Sequence, residues 1–257
     1  MSFLVATAIT KQFGGLTAVN AVNFSIDQGM IAGLIGPNGA GKTTFFNMIT
    51  GVYRSTSGVL TFEDHTISTL KAHEITRLGI ARTFQNIRLF PAMSVLENVL
   101  VGMHTKLTTN LTDTLFKTKK LQREEAKAAE EARRLLDYVG LGRRRAEMTA
   151  RHLSYGDQRR LEIARALAAQ PRLLLLDEPT AGMNPQETAD LTSFIRRLRD
   201  DLSLTILLIE HHMRVVMGIS DRVTVLDHGE KIAEGTPAEV QANHRVIEAY
   251  LGTGATH

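Results

Sequence analysis

Hydrophobic and polar positions along this 257-residue chain follow two patterns, and the two separate along its length. Residues 3–9 and 19–26 carry alternating and apolar runs punctuated by Gly14-Gly15 and Gln28-Gly29, which predicts strands joined by turns. Residues 30–35 form a short apolar run suited to a buried strand, and a Gly-rich loop follows. Residues 43–50 then set Phe45, Phe46 and Ile49 on one helix face, and residues 58–67 read as a further hairpin. From about Pro91 the character changes. Over residues 118–139, Leu121, Ala128, Ala132, Leu135, Leu136 and Val139 recur at helical spacing among Lys, Arg and Glu, predicting an amphipathic helix with a charged outer face. After Pro171 aliphatic runs return at 173–176 and 205–209. They are continuous rather than alternating, as strands buried on both faces of a parallel sheet require. The pattern predicts one α/β domain, with a core from 1–88 and 166–257 interrupted by a helical insertion at 89–165. No internal repeat or low-complexity linker is visible.

Composition narrows this little. Lys and Arg number 30 against 27 Asp and Glu, a formal net charge of +3, and no nucleic-acid partner is expected from it. Around residues 119–125 and at Arg143-Arg144-Arg145 bases and acids interleave, which reads as a solvated face. There is no Cys, so disulfide frameworks, thiol nucleophiles and thiolate metal sites are excluded. No stretch approaches the roughly 18–20 apolar residues of a membrane span. The N-terminus lacks the basic and apolar regions of a signal peptide, so a soluble, cytoplasmic chain is expected.

Chemistry enters at residues 36–44. Gly36-Pro37-Asn38-Gly39-Ala40-Gly41-Lys42-Thr43-Thr44 matches the phosphate-loop pattern G-x-x-x-x-G-K-[ST], preceded by an apolar strand and followed by a helix. The glycines let successive backbone N–H groups form an anion nest, to which the helix adds its positive N-terminal end. Lys42 can reach the β- and γ-phosphates, the Thr43 hydroxyl can ligate Mg²⁺, and Thr44 supplies a further donor. Kinases, GTPases, recombinases and transporters all share such a loop; the missing Asn-Lys-x-Asp motif argues against a GTPase. A second element, the run of leucines at 173–176 ending in Asp177-Glu178-Pro179, narrows the field. Asp177, at the end of a buried strand, can hold Mg²⁺ through its water shell, and Glu178 can polarise an attacking water.

With Leu153-Ser154-Tyr155-Gly156-Asp157-Gln158 following the helical insertion, the chain resembles the nucleotide-binding subunits of ABC transporters over nearly its whole length. The resemblance implies a P-loop NTPase (RecA-like) core with an N-terminal antiparallel β-subdomain and an inserted α-helical subdomain. It implies ATP and Mg²⁺ as ligands. Phe13 corresponds to the aromatic that stacks on adenine, with Val19 near the base. Gln85, in Arg82-Thr83-Phe84-Gln85, matches the glutamine that senses Mg²⁺ and couples to the membrane subunits. Ser154 and Gly156 match the signature that contacts ATP bound to the opposite subunit. Residues 180–184 align with the loop connecting the two sites, and His211 with the histidine that contacts the γ-phosphate. Glu178 and His211 are therefore the expected catalytic pair, and Thr43, Gln85 and Asp177 the metal set. Departures are Tyr155 and Asp157 in the signature, Asn184 where Asp is common, and His212 where Asp is usual.

Residues 154–166, 82–90 and 217–223 and the tail at 246–252 are similar to the branched-chain amino acid importer branch, in its LivG-type subunits. That branch implies two integral-membrane permease subunits and a second ATPase, a homologous LivF-type subunit or a second copy, closing head to tail. It also implies an indirect link to a solute-binding protein and a peripheral place at the cytoplasmic face of the inner membrane. The same motor in a urea or short-amide importer, or a non-transport ABC ATPase, stays open at this point.

Overall fold

Gly14 and Gly15 turn the chain back on itself, so that Ser2–Phe13 (β1) and Leu16–Asp27 (β2) pair antiparallel. A computed structural model describes residues 2–104 and 119–251. Contacts within it divide the chain into two units, Met1–Arg82 with Arg172–His257, and Thr83–Pro171.

In the first unit, Ile31–Ile35 (β3) is buried at every position, the mark of a strand covered on both faces. It leads into the helix Lys42–Ile49 (α1). Ser57–Phe62 (β4) pairs with the free side of β1, and His65–Thr66 (β5) adds a short edge, giving the antiparallel order β2-β1-β4-β5. Ala72–Arg77 (α2) then leads to Ile80–Arg82 (β6).

Among its described residues the second unit holds three α-helices. Val95–Met103 (α3) starts at a capping box in which Ser94 and Glu97 satisfy each other's backbone N–H groups. That hydrogen bonding holds the Glu97 carboxyl below its ordinary pKa. Lys119–Tyr138 (α4) and Tyr155–Ala168 (α5) pack on α3 and on each other. The expected helix at 118–139 is thus α4; Thr118 lies outside the described residues. Buried in α5 are Arg159 and Glu162, paired at 2.7 Å. Arg159 donates to the carbonyls of Phe84 (2.6 Å) and Gln85 (2.8 Å), and Glu162 accepts from the N–H groups of Phe84 (3.3 Å) and Arg88 (3.2 Å). A buried ion pair is tolerable when most of its remaining hydrogen-bonding capacity is also met; here the backbone of residues 84–88 meets all but the Arg159 Nε–H.

Back in the first unit, Leu173–Asp177 (β7), Pro185–Leu202 (α6) and Thr205–Ile209 (β8) follow in order. Then come Met213–Ile219 (α7), Arg222–Asp227 (β9), Glu230–Gly235 (β10), Pro237–Gln241 (α8) and His244–Leu251 (α9). The second sheet has the order β10-β9-β3-β8-β7-β6, parallel except for β10. Its core has two sides. On one, Phe45 and Phe46 of α1 lie among apolar residues of both sheets, with Phe24 and Phe45 edge to face at 5.4 Å. On the other, Ile35, Val223 and Val225 meet Val216 of α7, Val240 of α8 and Val246 of α9. Layers of this kind leave the C-terminal ends of the parallel strands as the place where loops gather.

Candidate functional site

β3 ends at Ile35, and the loop that follows is pressed hard against its neighbours. Gly36 has φ +149°, and a Cβ there would sit 2.0 Å from the carbonyl oxygen of Leu226; Gly41 has φ +96°, and its Cβ would sit 2.4 Å from that of Ala18. No L side chain fits either position, so these two glycines are dictated by backbone approach. Between them Asn38 and Gly39 are exposed, Pro37 is half-buried and Ala40 is buried. Gly41 is the N-cap of α1 and brings no side-chain cap, so the first-turn N–H groups are available to an anion. Lys42 is buried, and its Nζ donates to the carbonyls of Gly36 (2.7 Å) and Pro37 (2.8 Å). Burial lowers the Lys42 pKa, while the carboxylates of Glu178 and Asp177 act in the opposite sense. Thr43 is exposed and Thr44 half-buried at the start of the same helix. Val19 is wholly buried beside Gly41, beneath the loop.

Phe13, the last residue of β1, keeps 41% of its surface exposed. Its ring meets Tyr53 edge to face at 5.2 Å, and Lys11 Nζ lies 4.8 Å from its centroid. This is a supported aromatic platform rather than a core residue. Phe13→Ala should weaken ATP and GTP binding alike, by about 1–3 kcal/mol as for base stacking elsewhere. Isothermal titration checks it; unchanged affinity for both nucleotides would return Phe13 to a purely structural role.

β7 is buried throughout and ends in Asp177, whose carboxylate pairs with Arg82 at 2.6 Å. Arg82 also donates to Asn47 Oδ1 of α1 at 2.5 Å. Glu178 then takes φ +46°, a left-handed conformation that costs a non-glycine residue about 1–3 kcal/mol. Its N–H donates to Ile209 O at 2.9 Å, and its Oε1 lies 2.5 Å from Nε2 of His211. The sharp turn thus lifts Glu178 out of the sheet and towards β8's end. β8 stops at Ile209, where its aliphatic run ends, so His211 and His212 lie beyond the strand. They diverge: His211 meets Glu178, while His212 Nδ1 lies 3.0 Å from Thr180 Oγ1. Asn184 is the N-cap of α6, in a reciprocal capping box with Glu187.

In the Thr83–Pro171 unit, the side chain of Gln85 is exposed and its carbonyl is held by Arg159. Ser154 is the exposed N-cap of α5, its Oγ accepting from Asp157 N–H at 3.2 Å, and Gly156 lies in the first turn. Asp157, one of the signature departures, pairs with Arg145 at 2.6 Å.

A family model described as ABC transporter matches residues 19–181, well over half the chain. The chain belongs to the ABC transporter ATP-binding family. It is an ATPase cassette with a P-loop fold, as the motifs implied. A second model, described as branched-chain amino acid ATP-binding cassette transporter, matches residues 230–256. The high-affinity branched-chain amino acid transport ATP-binding protein LivG of Escherichia coli K12 is 48% identical over 249 residues, covering 97% of each chain. Among solved structures, the ADP conformation of the ABC transporter cassette MJ1267 is 32% identical, with a TM-score of 0.84 over 98% of this chain and 99% of that one. A dimeric post-hydrolysis state of the cassette MJ0796, bound to ADP and phosphate, is 25% identical, with a TM-score of 0.76 over 91% and 98%.

Against this ABC cassette background, four groups stand out that sequence reasoning did not single out. Arg82 holds Asp177; Glu210, buried, lies between Thr180 and the two histidines; Arg159 and Glu162 grip residues 84–88. Tyr250 of α9 takes a hydrogen bond from the Gly36 backbone, which opposes the rise that burial imposes on its pKa. Arg82, Arg159, Glu162 and Tyr250 lie within the stretches at 82–90, 154–166 and 246–252 that carry the resemblance, though without a role of their own there; Glu210 lies outside them. The oxygen donors at Thr43 and Asp177 are hard ligands of the kind Mg²⁺ takes. Among the described residues no group of three or more His, Asp or Glu is gathered to cage a metal. No helix among the described residues is long and apolar enough to cross a membrane.

Proposed function

We propose that this ATPase is the motor subunit of an importer for branched-chain amino acids. Support for the substrate is the similarity to LivG and the match at 230–256. Support for the motor chemistry is one observation above all: a strained Glu178 hydrogen-bonded to His211 at the same strand ends that carry the phosphate loop.

In this reading the loop N–H groups of residues 38–44 and Lys42 Nζ bind the phosphates, exchanging the Lys42 bonds to its own carbonyls for bonds to ATP. Phe13 carries the adenine. Thr43 and Asp177 would hold Mg²⁺, which when bound neutralises phosphate charge. Glu178 orients the attacking water and accepts its proton as the water oxygen bonds to the γ-phosphorus and the bond to the β-phosphate oxygen breaks. His211 fixes that carboxylate and faces the γ-phosphate. The roles of Gln85, Ser154 and Gly156 rest on the family resemblance, which gives the signature to ATP on the opposite subunit. Two cassettes, this chain with a LivF-type partner or with a second copy, therefore close head to tail around ATP and separate after hydrolysis, and the permease follows that two-state cycle. The chain works at the cytoplasmic face of the membrane through two permease subunits, fed by a solute-binding protein.

The tagged chain, extracted from its own membranes in mild detergent, should carry two polytopic subunits and hydrolyse ATP in their company. Recovery free of any membrane subunit would overturn the transporter reading while leaving the ATPase intact.

A further inference from the structure

Glu210 follows β8 directly and is 2% exposed, yet the hydrolytic scheme gives it no task. Its two oxygens are divided between two loops. Oε1 accepts from the Thr180 N–H at 2.8 Å and from the Thr180 hydroxyl at 2.5 Å. Oε2 accepts from the N–H groups of His211 at 3.1 Å and His212 at 3.4 Å. Thr180, itself fully buried, lies two positions beyond Glu178. One carboxylate therefore ties the turn that carries Glu178 to the turn that carries His211. Charge-assisted hydrogen bonds of this kind are about twice as strong as neutral ones, and they offset the cost of burying the charge.

The hydroxyl proton of Thr180 is committed to Glu210, so Thr180 Oγ1 must accept from its other neighbour, Nδ1 of His212 at 3.0 Å. That assigns the Nδ1–H form to His212 and extends the chain His212–Thr180–Glu210 outwards to an exposed side chain. His212, which departs from the usual Asp, thus has a donor's place in the network.

We propose that Glu210 is a positioning residue for ATP hydrolysis, holding Glu178 and His211 in register through Thr180 and the His211 N–H. It acts through these two turns rather than on the reacting atoms. The proposal rests on the reading of Glu178 and His211 as the hydrolytic pair. Glu210→Gln keeps the size but replaces one acceptor oxygen by a donor, so one of the two turns loses its anchor. Misplacement of reacting groups by about 1 Å costs up to about 100-fold in rate.

The test measures kcat, the KM for ATP, equilibrium ATP affinity and melting temperature in the assembled transporter, for Glu210→Gln, Thr180→Val, Thr180→Ser and Glu178→Gln. Glu210→Gln and Thr180→Val are expected to lower kcat by about 10-fold or more, with ATP affinity within about twofold of the parent. Thr180→Ser, which restores the hydroxyl, should recover most of the rate. Full kcat in both Glu210→Gln and Thr180→Val would overturn the proposal while an inactive Glu178→Gln keeps the underlying reading. So would parallel losses of affinity, melting temperature and kcat that Thr180→Ser does not repair. Normal turnover in Glu178→Gln would overturn the reading itself, and the proposal with it.

Discussion

Glu178→Gln is expected to bind ATP with nearly parental affinity and to hydrolyse it about 10²–10⁴ times more slowly, the usual range for loss of a positioned base. The amide keeps the size of the side chain, so the turn at φ +46° and the neighbouring His211 are undisturbed. What disappears is the capacity to take a proton from water at neutral pH. Because ATP stays intact, the variant should also accumulate the closed, ATP-bound pair of cassettes. Steady-state phosphate release set beside equilibrium ATP binding separates the two effects. Parental turnover would remove Glu178 from the role of base, and loss of binding would make it a structural residue.

The second large effect belongs to Lys42. Lys42→Ala should lower ATP affinity by about 10²–10⁴-fold, because hydrogen bonds to charged groups contribute about 1.5–3 kcal/mol each and Nζ can reach two phosphates. Burial lowers the Lys42 pKa, but the carboxylates of Asp177 and Glu178 nearby oppose that shift, and bound phosphate adds more negative charge of the same effect. Affinity should therefore hold as pH rises through the neutral range and fall only where Lys42 loses its proton. The parent, in contrast to Lys42→Ala, should show that alkaline fall. Unchanged ATP affinity in Lys42→Ala, measured by titration with a fold check by circular dichroism, would contradict the phosphate-loop reading.

Which features were legible in the sequence follows from the distance over which each one is encoded. β3, β7 and β8 announced themselves as unbroken aliphatic runs because both of their faces are covered. The helix α4 showed its buried stripe within a few turns. The loop at 36–41 was legible because backbone approach at Gly36 and Gly41 leaves no choice of residue. The β10 strand was missed because Glu230–Gly235 is mostly polar and half-covered, with no alternation to read. At the site, single residues were visible but their partners were not. Arg82 reaches Asp177 across 95 positions and Thr180 reaches Glu210 across 30. Arg159 and Glu162 have ordinary helical spacing, but the backbone they grip lies 74 to 78 positions away. The sequence shows His211 and His212 only as neighbours; they diverge because the chain leaves the strand at Ile209 and Glu210 fixes the turn.

The most direct measurement is uptake into proteoliposomes that hold both permease subunits, this chain, its partner ATPase and the solute-binding protein, with ATP enclosed. Labelled leucine is expected to accumulate only with ATP present and to stop when Glu178→Gln replaces the parent, while labelled urea stays outside. Accumulation of urea in place of leucine, or leucine uptake indifferent to Glu178→Gln, would contradict an amino-acid importer driven by this cassette.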